Sequence, residues 1–179
     1  MLFGLLVFGA IVVVVFSFVT TYNRLVAAAE KATRAWNDLD AVLRQRHDEI
    51  PKLLEMCEPH LPHERASFER ILEARTAEFA ARQTRDGDAL GRAERALRTV
   101  LSEFVPRAAA HPALAASPAF QLLRQRNATV DSEIAERRDR YNAAVSAYNA
   151  AISRLPGRVV ALAGEFPPLR QLETDPAKG

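Results

Sequence analysis

From Met1 to Val19 the chain carries no charged side chain, and its first charge is Arg24. Leu2, Leu5, Leu6, Val7, Phe8, Ile11, the run Val12 to Val15, Phe16, Phe18 and Val19 fill that stretch. About 20 helical residues cross a hydrocarbon core of roughly 30 Å, so the segment has the length of a membrane span. Thr20, Thr21 and Tyr22 follow as an interfacial edge, where a ring with a polar tip is favoured. A cleaved export signal would need a positive start, a shorter apolar core and a small-residue cleavage site. No Lys or Arg precedes the run, no Ala-x-Ala closes it, and no nearby cysteine can take a lipid. The expectation is an uncleaved transmembrane anchor over residues 1–21. Arg24, Lys31 and Arg34 follow the span, and the positive-inside rule then places the rest of the chain in the cytoplasm and the short N-terminus outside.

Beyond the anchor, alanine, leucine, glutamate and arginine dominate, which is the composition of helical bundles. Formal net charge is only +2, and the two signs are interleaved. A nucleic-acid surface would need a one-sided basic face, so no nucleic-acid partner is expected. The lone Cys57 excludes a disulfide within the chain.

No glycine or proline separates Tyr22 from Ile50, so the first helix of the bundle is expected to continue from the anchor. Leu25, Ala29, Ala32, Trp36, Leu39, Leu43, Arg46, Ile50, Leu53 and Cys57 advance by alternating steps of four and three, a heptad seam. Pro51 lies inside this pattern. It removes a backbone donor and crowds the carbonyl four residues back, so the helix either kinks or ends there. Survival of the register to Leu53 and Cys57 favours the kink. Pro59 and Pro62 break the chain.

A second helix is expected over residues 63–84, with Phe68, Ile71, Leu72, Arg75 and Phe79 inward, then a turn at Asp86-Gly87-Asp88. A third is expected over residues 88–110, with Leu90, Ala93, Leu97, Val100, Leu101 and Phe104 inward and a kink at Pro106. His111-Pro112 and Ser117-Pro118 bracket a loop, and Ser117 before Pro118 reads as an N-cap. The fourth helix is expected over residues 118–155 on a seam of Phe120, Leu123, Asn127, Val130, Ile134, Arg137, Tyr141, Ala144, Tyr148, Ala151 and Leu155. One or two further turns follow over residues 158–164. The proline-rich tail, residues 165–179, is expected to be extended or disordered. The fold class is therefore all-α: a transmembrane helix, then an antiparallel four-helix, coiled-coil-like bundle over residues 22–164.

Arg46 and Arg137 occupy seam positions that want apolar side chains. A buried arginine must be paired, or its stem must carry the head to water. Asp48, Glu49, Glu133 and Glu136 are the nearby candidate partners. Asn127 poses the same problem on a smaller scale, and such residues often set register. Tyr-Asn occurs at Tyr22-Asn23, Tyr141-Asn142 and Tyr148-Asn149, the last two on one helical face. A buried tyrosine seeks a partner for its hydroxyl, and the neighbouring asparagine is placed to bridge to another helix.

Cys57, His60 and His63 are soft and imidazole ligands three apart, with Glu58 and Glu64 adjacent, the one spacing that suggests a metal. Two prolines interrupt it and no second ligand pair exists, so neither a metal site nor a cofactor is expected. His47-Asp48 is placed to orient an imidazole, but no nucleophile matches it. There is no Gly-x-Gly-x-x-Gly, phosphate loop or Gly-x-Ser-x-Gly elbow. No enzymatic activity is expected.

The segments Tyr22-Asn23-Arg24-Leu25-Val26, Ala35-Trp36-Asn37-Asp38-Leu39-Asp40 and Leu43-Arg44-Gln45-Arg46-His47-Asp48-Glu49-Ile50-Pro51 form a recognisable pattern. His63-Glu64, Ala74-Arg75, Tyr141-Asn142-Ala143-Ala144-Val145, Tyr148-Asn149 and Leu155-Pro156-Gly157-Arg158-Val159-Val160-Ala161 extend it over nearly the whole chain. The chain resembles the LemA family of bacterial membrane proteins. It has Lys52-Leu53-Leu54 after the proline, where the family pattern has Asn-Leu-Val. The resemblance implies an N-terminal membrane helix with a short external N-terminus, an antiparallel helical bundle and no catalytic activity. The expected role is a scaffold or interaction module at the bacterial inner membrane, with the bilayer and a protein partner or a second copy as its contacts. The competing expectation is a metal- or ligand-binding sensor built on the His60 loop or the Arg46–Arg137 level.

Overall fold

The computed structural model of the chain describes residues 2–84 and 86–172. They form six helices and no strand. These are α1 (Leu2–Cys57), α2 (Arg65–Thr84), α3 (Gly87–Ala110), α4 (Pro112–Ala115), α5 (Pro118–Ser153) and α6 (Gly157–Ala163), with a 3-10 turn at Pro62–Glu64. The expected all-α architecture holds. Helix α1 is continuous from the apolar segment through Pro51 to Cys57. Its first part is long and apolar enough to cross a membrane, and its side chains from Phe3 to Val19 lie on the surface.

The described chain divides into two compact units. One joins the residues up to Trp36 with Arg140–Leu169, and the other joins Asn37–Asp139 with the residues from Arg170. In the first unit, Leu25 of α1, Tyr148 and Ile152 of α5, and Val160 and Ala161 of α6 form the core. Trp36 meets Tyr141 edge to face at 5.5 Å between ring centres. In the second unit, four helices enclose one core: Ile50, Leu53, Leu54 and Cys57 of α1, Ile71 of α2, Leu97, Leu101, Phe104 and Ala108 of α3, and Phe120 and Leu123 of α5. Leu114 of α4 closes that core. Each fully buried large apolar side chain stabilises by about 1.5–3 kcal/mol. Within each unit α1 and α5 run antiparallel.

The expected turn at Asp86-Gly87-Asp88 also caps a helix: Asp86 accepts from the amides of Asp88 (3.0 Å) and Ala89 (3.2 Å) at the start of α3. The capping signal at Ser117 is realised. Ser117 Oγ accepts from the Phe120 amide at 3.3 Å with Pro118 in the first position of α5. Between His111 and Ser117 the expected loop contains the short helix α4.

The α1 seam is buried at nearly every expected position, Leu25, Ala32, Trp36, Leu39, Leu43, Arg46, Ile50, Leu53 and Cys57, with Ala29 half-buried. On α5 the seam is buried to Ile134, and Tyr141, Ala144 and Tyr148 beyond it are buried as expected. At the alternate positions burial moves one residue on: Arg138, Val145 and Ile152 are buried, whereas Arg137 and Ala151 are half-buried and Leu155 is exposed beyond the helix end. An α-helix of 3.6 residues per turn drifts by about 20° per heptad from a strict seven-residue pattern. That drift widens the inner face of α5 towards the following residue without moving it off Tyr141 and Tyr148.

Helix α2 departs most from expectation. Its buried residues are Ser67, Ile71, Glu78 and Arg82. Leu72 and Phe79 are exposed, and Phe68 packs edge-on against Phe104 at 5.3 Å. Counting apolar residues misplaces this face because its central positions are charged.

The tail is extended over residues 166–172 and stays on the protein. Phe166 and Leu169 pack against the core of the first unit. In the second unit Leu172 is buried, and a Cβ on Gly87 would lie 2.7 Å from the Gln171 carbonyl oxygen, so only glycine fits beneath that strand of chain. The tail beyond Leu172 lies outside the described residues.

Candidate functional site

A layer of charge crosses the interior of the second unit. Arg46 is 1% exposed and is the bulkiest fully buried side chain. Its Nη1 donates to Glu94 Oε1 of α3 at 3.2 Å and to Asp131 Oδ1 of α5 at 3.3 Å. Neither carboxylate was among the expected partners. Asp48 lies on the surface, and Glu49 accepts from Gln45 at 3.4 Å. On α5 Glu133 is half-buried and Glu136 exposed. Opposite charge reaches Arg46 from two other helices because a buried guanidinium takes its partners across the core.

Helix α2 adds Glu78, 0% exposed, with both carboxylate oxygens lacking a hydrogen-bond partner. Burial raises its pKa, against the pull of Arg46 and Arg82. Arg82 Nε pairs with Asp40 Oδ1 at 3.3 Å, and Arg44 also bonds Asp40 from the helical turn above. Asp131 is half-buried, and burial raises its pKa too, opposed by Arg46 and reinforced by Glu94. Arg46, Glu78, Glu94 and Asp131 thus come one from each of α1, α2, α3 and α5. A carboxylate with a raised pKa among fixed guanidinium groups is placed to take up a proton.

Pro51 and His47 form a second device beside this layer. Proline has no N–H, so the His47 carbonyl four residues back loses the donor an ordinary helix supplies. Arg75 Nε of α2 donates to that oxygen at 2.9 Å. A side chain from a neighbouring helix thereby completes the backbone of α1, which is how α1 continues past Pro51. The His47 ring lies against Phe79 at 5.1 Å, and the Arg82 guanidinium lies 5.1 Å from the same ring. Burial, then Arg75 and Arg82, hold the His47 pKa below 6.5, with Asp48 opposing.

Asn127 is buried and donates from Nδ2 to the Leu123 carbonyl at 3.0 Å, while its Oδ1 has no partner. It lines a cavity of about 300 Å³ between α3 and α5, with Arg98, Leu101, Val105, Arg124 and Asp131 on its walls. Asp131 therefore joins the cavity to the Arg46 layer.

The Tyr-Asn pairs lie in the first unit. Tyr141 packs on Trp36, and Asn142 is half-buried on α5. Tyr148 donates its hydroxyl to the Pro167 carbonyl at 2.9 Å, and burial raises its pKa. Asn149 Nδ2 donates to the Leu169 carbonyl at 2.7 Å, and its Oδ1 accepts from the Leu169 amide at 3.0 Å. The second pair therefore clamps the extended tail rather than a neighbouring helix.

The loop candidates do not converge. Cys57 is buried in the apolar core, which pushes its thiol up to about 11. His60 and His63 lie on the surface, and His60 sits against His111 at 5.5 Å between rings. Among the described residues no three His, Cys, Asp or Glu side chains are grouped to hold a metal ion.

Sequence reasoning located Arg46, Pro51 and Asn127 but missed Glu78, Arg82, Glu94, Asp131 and the role of Arg75. Glu94 carried a usable signal: it stands four residues after Leu90 and three before Leu97, within the apolar stripe of α3. A comparison with curated proteins gave no match. The LemA family model matches residues 35–178, which include the Arg46 layer, the Pro51–Arg75 link and the Asn149 clamp, and the chain belongs to the LemA family.

Proposed function

We propose that this LemA-family chain is a single-pass membrane protein whose helical bundle is a scaffold or interaction module at the bacterial inner membrane. The short N-terminus lies outside and the bundle in the cytoplasm. The observation that carries this reading is the continuity of α1: the apolar, surface-lying segment and the seam that reaches Arg46 are one helix, Leu2–Cys57. A partner gripping the bundle is thereby tied by one helix to the bilayer. Arg24, Lys31 and Arg34 are exposed after the span, which supports the cytoplasmic orientation. The Arg46 layer acts as a register device rather than a catalytic centre, because Arg46 pairs with Glu94 and Asp131 only when α1, α3 and α5 align at one level. Crosslinking in native membranes, with identification of the captured protein, tests the reading. A specific partner or a defined homo-oligomer supports it, and a chain that crosslinks to nothing overturns it. A reporter fused after Gly179 tests orientation: activity of a reporter that works only after export refutes the cytoplasmic bundle.

A second reading, a ligand-binding membrane sensor, is favoured by the 300 Å³ cavity and the unpartnered Asn127 Oδ1 on its wall. Such a ligand would carry a donor for Asn127 and an anionic group for Arg124. Thermal stabilisation of the full-length protein by small hydroxy- or aminocarboxylates, lost on Asn127→Leu, distinguishes this reading from the first.

A further inference from the structure

Helix α6 has two apolar faces. Gly157, Val160 and Ala161 turn inward, the last two in the core with Leu25, Tyr148 and Ile152. On the outside Val159 is 56% exposed and Leu162 79%, and Leu155 in the preceding turn is 77% exposed. Apart from Arg158, α6 thus shows apolar side chains outside as well as inside, and such an outer face suits a second apolar medium better than water.

The position of α6 along α1 identifies that medium. A Cβ on Gly157 would lie 3.9 Å from Leu25 Cδ2. Leu25 is four residues past Thr21, where the apolar span ends, which is about 6 Å along the helix axis. The polar headgroup layer on each side of a bilayer is of about that thickness. Tyr22 meets Phe166 edge to face at 5.7 Å beside this level, an apolar-bodied pair of the kind that gathers at membrane interfaces. Arg24, Arg154 and Arg158 are exposed in the same unit, with Glu165 after α6, and Glu30 on the wall it shares with Gly164 and Phe166, as the nearby acidic residues.

We propose that α6, with Leu155, Val159 and Leu162 as its outer face, is an interfacial anchor that beds into the surface of the bilayer crossed by α1, with Arg154 and Arg158 placed for anionic headgroups. A short helix of this kind lies in the plane of the interface with its apolar side at the headgroup–acyl boundary. The chain then holds the membrane at two points, and the second point fixes how the first unit is oriented to the lipid surface. This rests on the membrane-spanning reading of α1.

The test uses the full-length protein in phosphatidylcholine–phosphatidylglycerol vesicles, with an environment-sensitive fluorophore on Leu162→Cys or, separately, on Val12→Cys in the span. Cys57 is buried, so labelling is directed to the introduced thiol. Nitroxide lipids carrying the quencher near the headgroup or deep in the acyl chain then report depth. Leu162→Cys is expected to be quenched more strongly by the shallow nitroxide, and Val12→Cys by the deep one. Quenching at Val12→Cys with none at Leu162→Cys overturns the interfacial anchor and leaves the span intact. Absence of quenching at both removes the span and the anchor with it. A concentration-dependent blue shift at Leu162→Cys without lipid quenching assigns the face to a second copy and also overturns the proposal.

Discussion

Completion of α1 by Arg75 makes a quantitative prediction, because the defect and its repair lie on different helices. Pro51 leaves the His47 carbonyl without a helical donor, and Arg75 Nε supplies one at 2.9 Å. Replacing Arg75 with methionine keeps the aliphatic bulk and removes the donor. A hydrogen bond from a charged group contributes about 1.5–3 kcal/mol, so Arg75→Met should lower stability by that amount. Pro51→Ala restores a backbone N–H aimed at the same oxygen and relieves the unfavourable helix-interior proline, worth up to about 3 kcal/mol. With the amide present the Arg75 side chain is redundant, and Arg75→Met should then cost about 1–2 kcal/mol less than in the parent. The assay is urea unfolding of the four full-length proteins of this cycle in detergent micelles, followed by far-ultraviolet circular dichroism. Equal losses on Arg75→Met with and without Pro51→Ala would refute the idea that the guanidinium stands in for the missing amide.

Other outcomes follow from the same geometry. Glu78 is buried with its pKa raised above 4.5, so the folded state keeps a proton the unfolded state has lost. Stability of the parent relative to Glu78→Gln should therefore fall by about 1.4 kcal/mol per pH unit as pH rises from 4.5 towards the folded pKa, and parallel pH curves from chemical unfolding would exclude this. The difference between the two proteins isolates Glu78, because His47, with a lowered pKa, works in the opposite sense below 6.5 in both. Asn149→Ala removes both bonds to Leu169, about 1 kcal/mol each, and should speed limited proteolysis within residues 165–172 several-fold without loss of helix by circular dichroism; an unchanged cleavage rate counts against the clamp. Cys57, buried and pushed up to about 11, should alkylate at neutral pH only at the rate the protein unfolds, and prompt labelling of the native protein would contradict its placement in the core.

The apolar pattern carried much of the fold and little of the charged layer. On α1 the seam was legible because apolar residues mark nearly every buried position, and Arg46 stood out as the exception. On α5 the same logic chose Arg137 over Arg138, since a strict heptad ignores the drift of a 3.6-residue helix. On α2 it failed at the centre, where Glu78 and Arg82 are inward while Leu72 and Phe79 face out. A charged residue is assigned to the surface by default, and only its partners reveal otherwise. Those partners sit far away in sequence: Glu94 is 48 residues from Arg46 and Asp131 is 85. No local spacing encodes such a pairing. The Asn149 clamp was hidden for the related reason that its target, Leu169, lies in a segment with no periodicity of its own.

These differences make α2 the element most dependent on charge. Helix α3 buries Leu90, Leu97, Leu101, Phe104 and Ala108, whereas Ile71 is the one apolar side chain that α2 buries fully. What places α2 against α1 is polar: Arg75 on the His47 carbonyl and Arg82 on Asp40. Breaking a buried pair costs about 3–5 kcal/mol, since the surviving charge keeps its desolvation penalty, yet the intact pair adds little net stability. Charge therefore specifies where α2 sits without binding it tightly. The proton affinity of Glu78 acts on the same helix, because neutralising it changes the balance around Arg46 and Arg82 at once. In a bundle whose other helices are held by apolar packing, a shift in that balance acts first on the hold of α2.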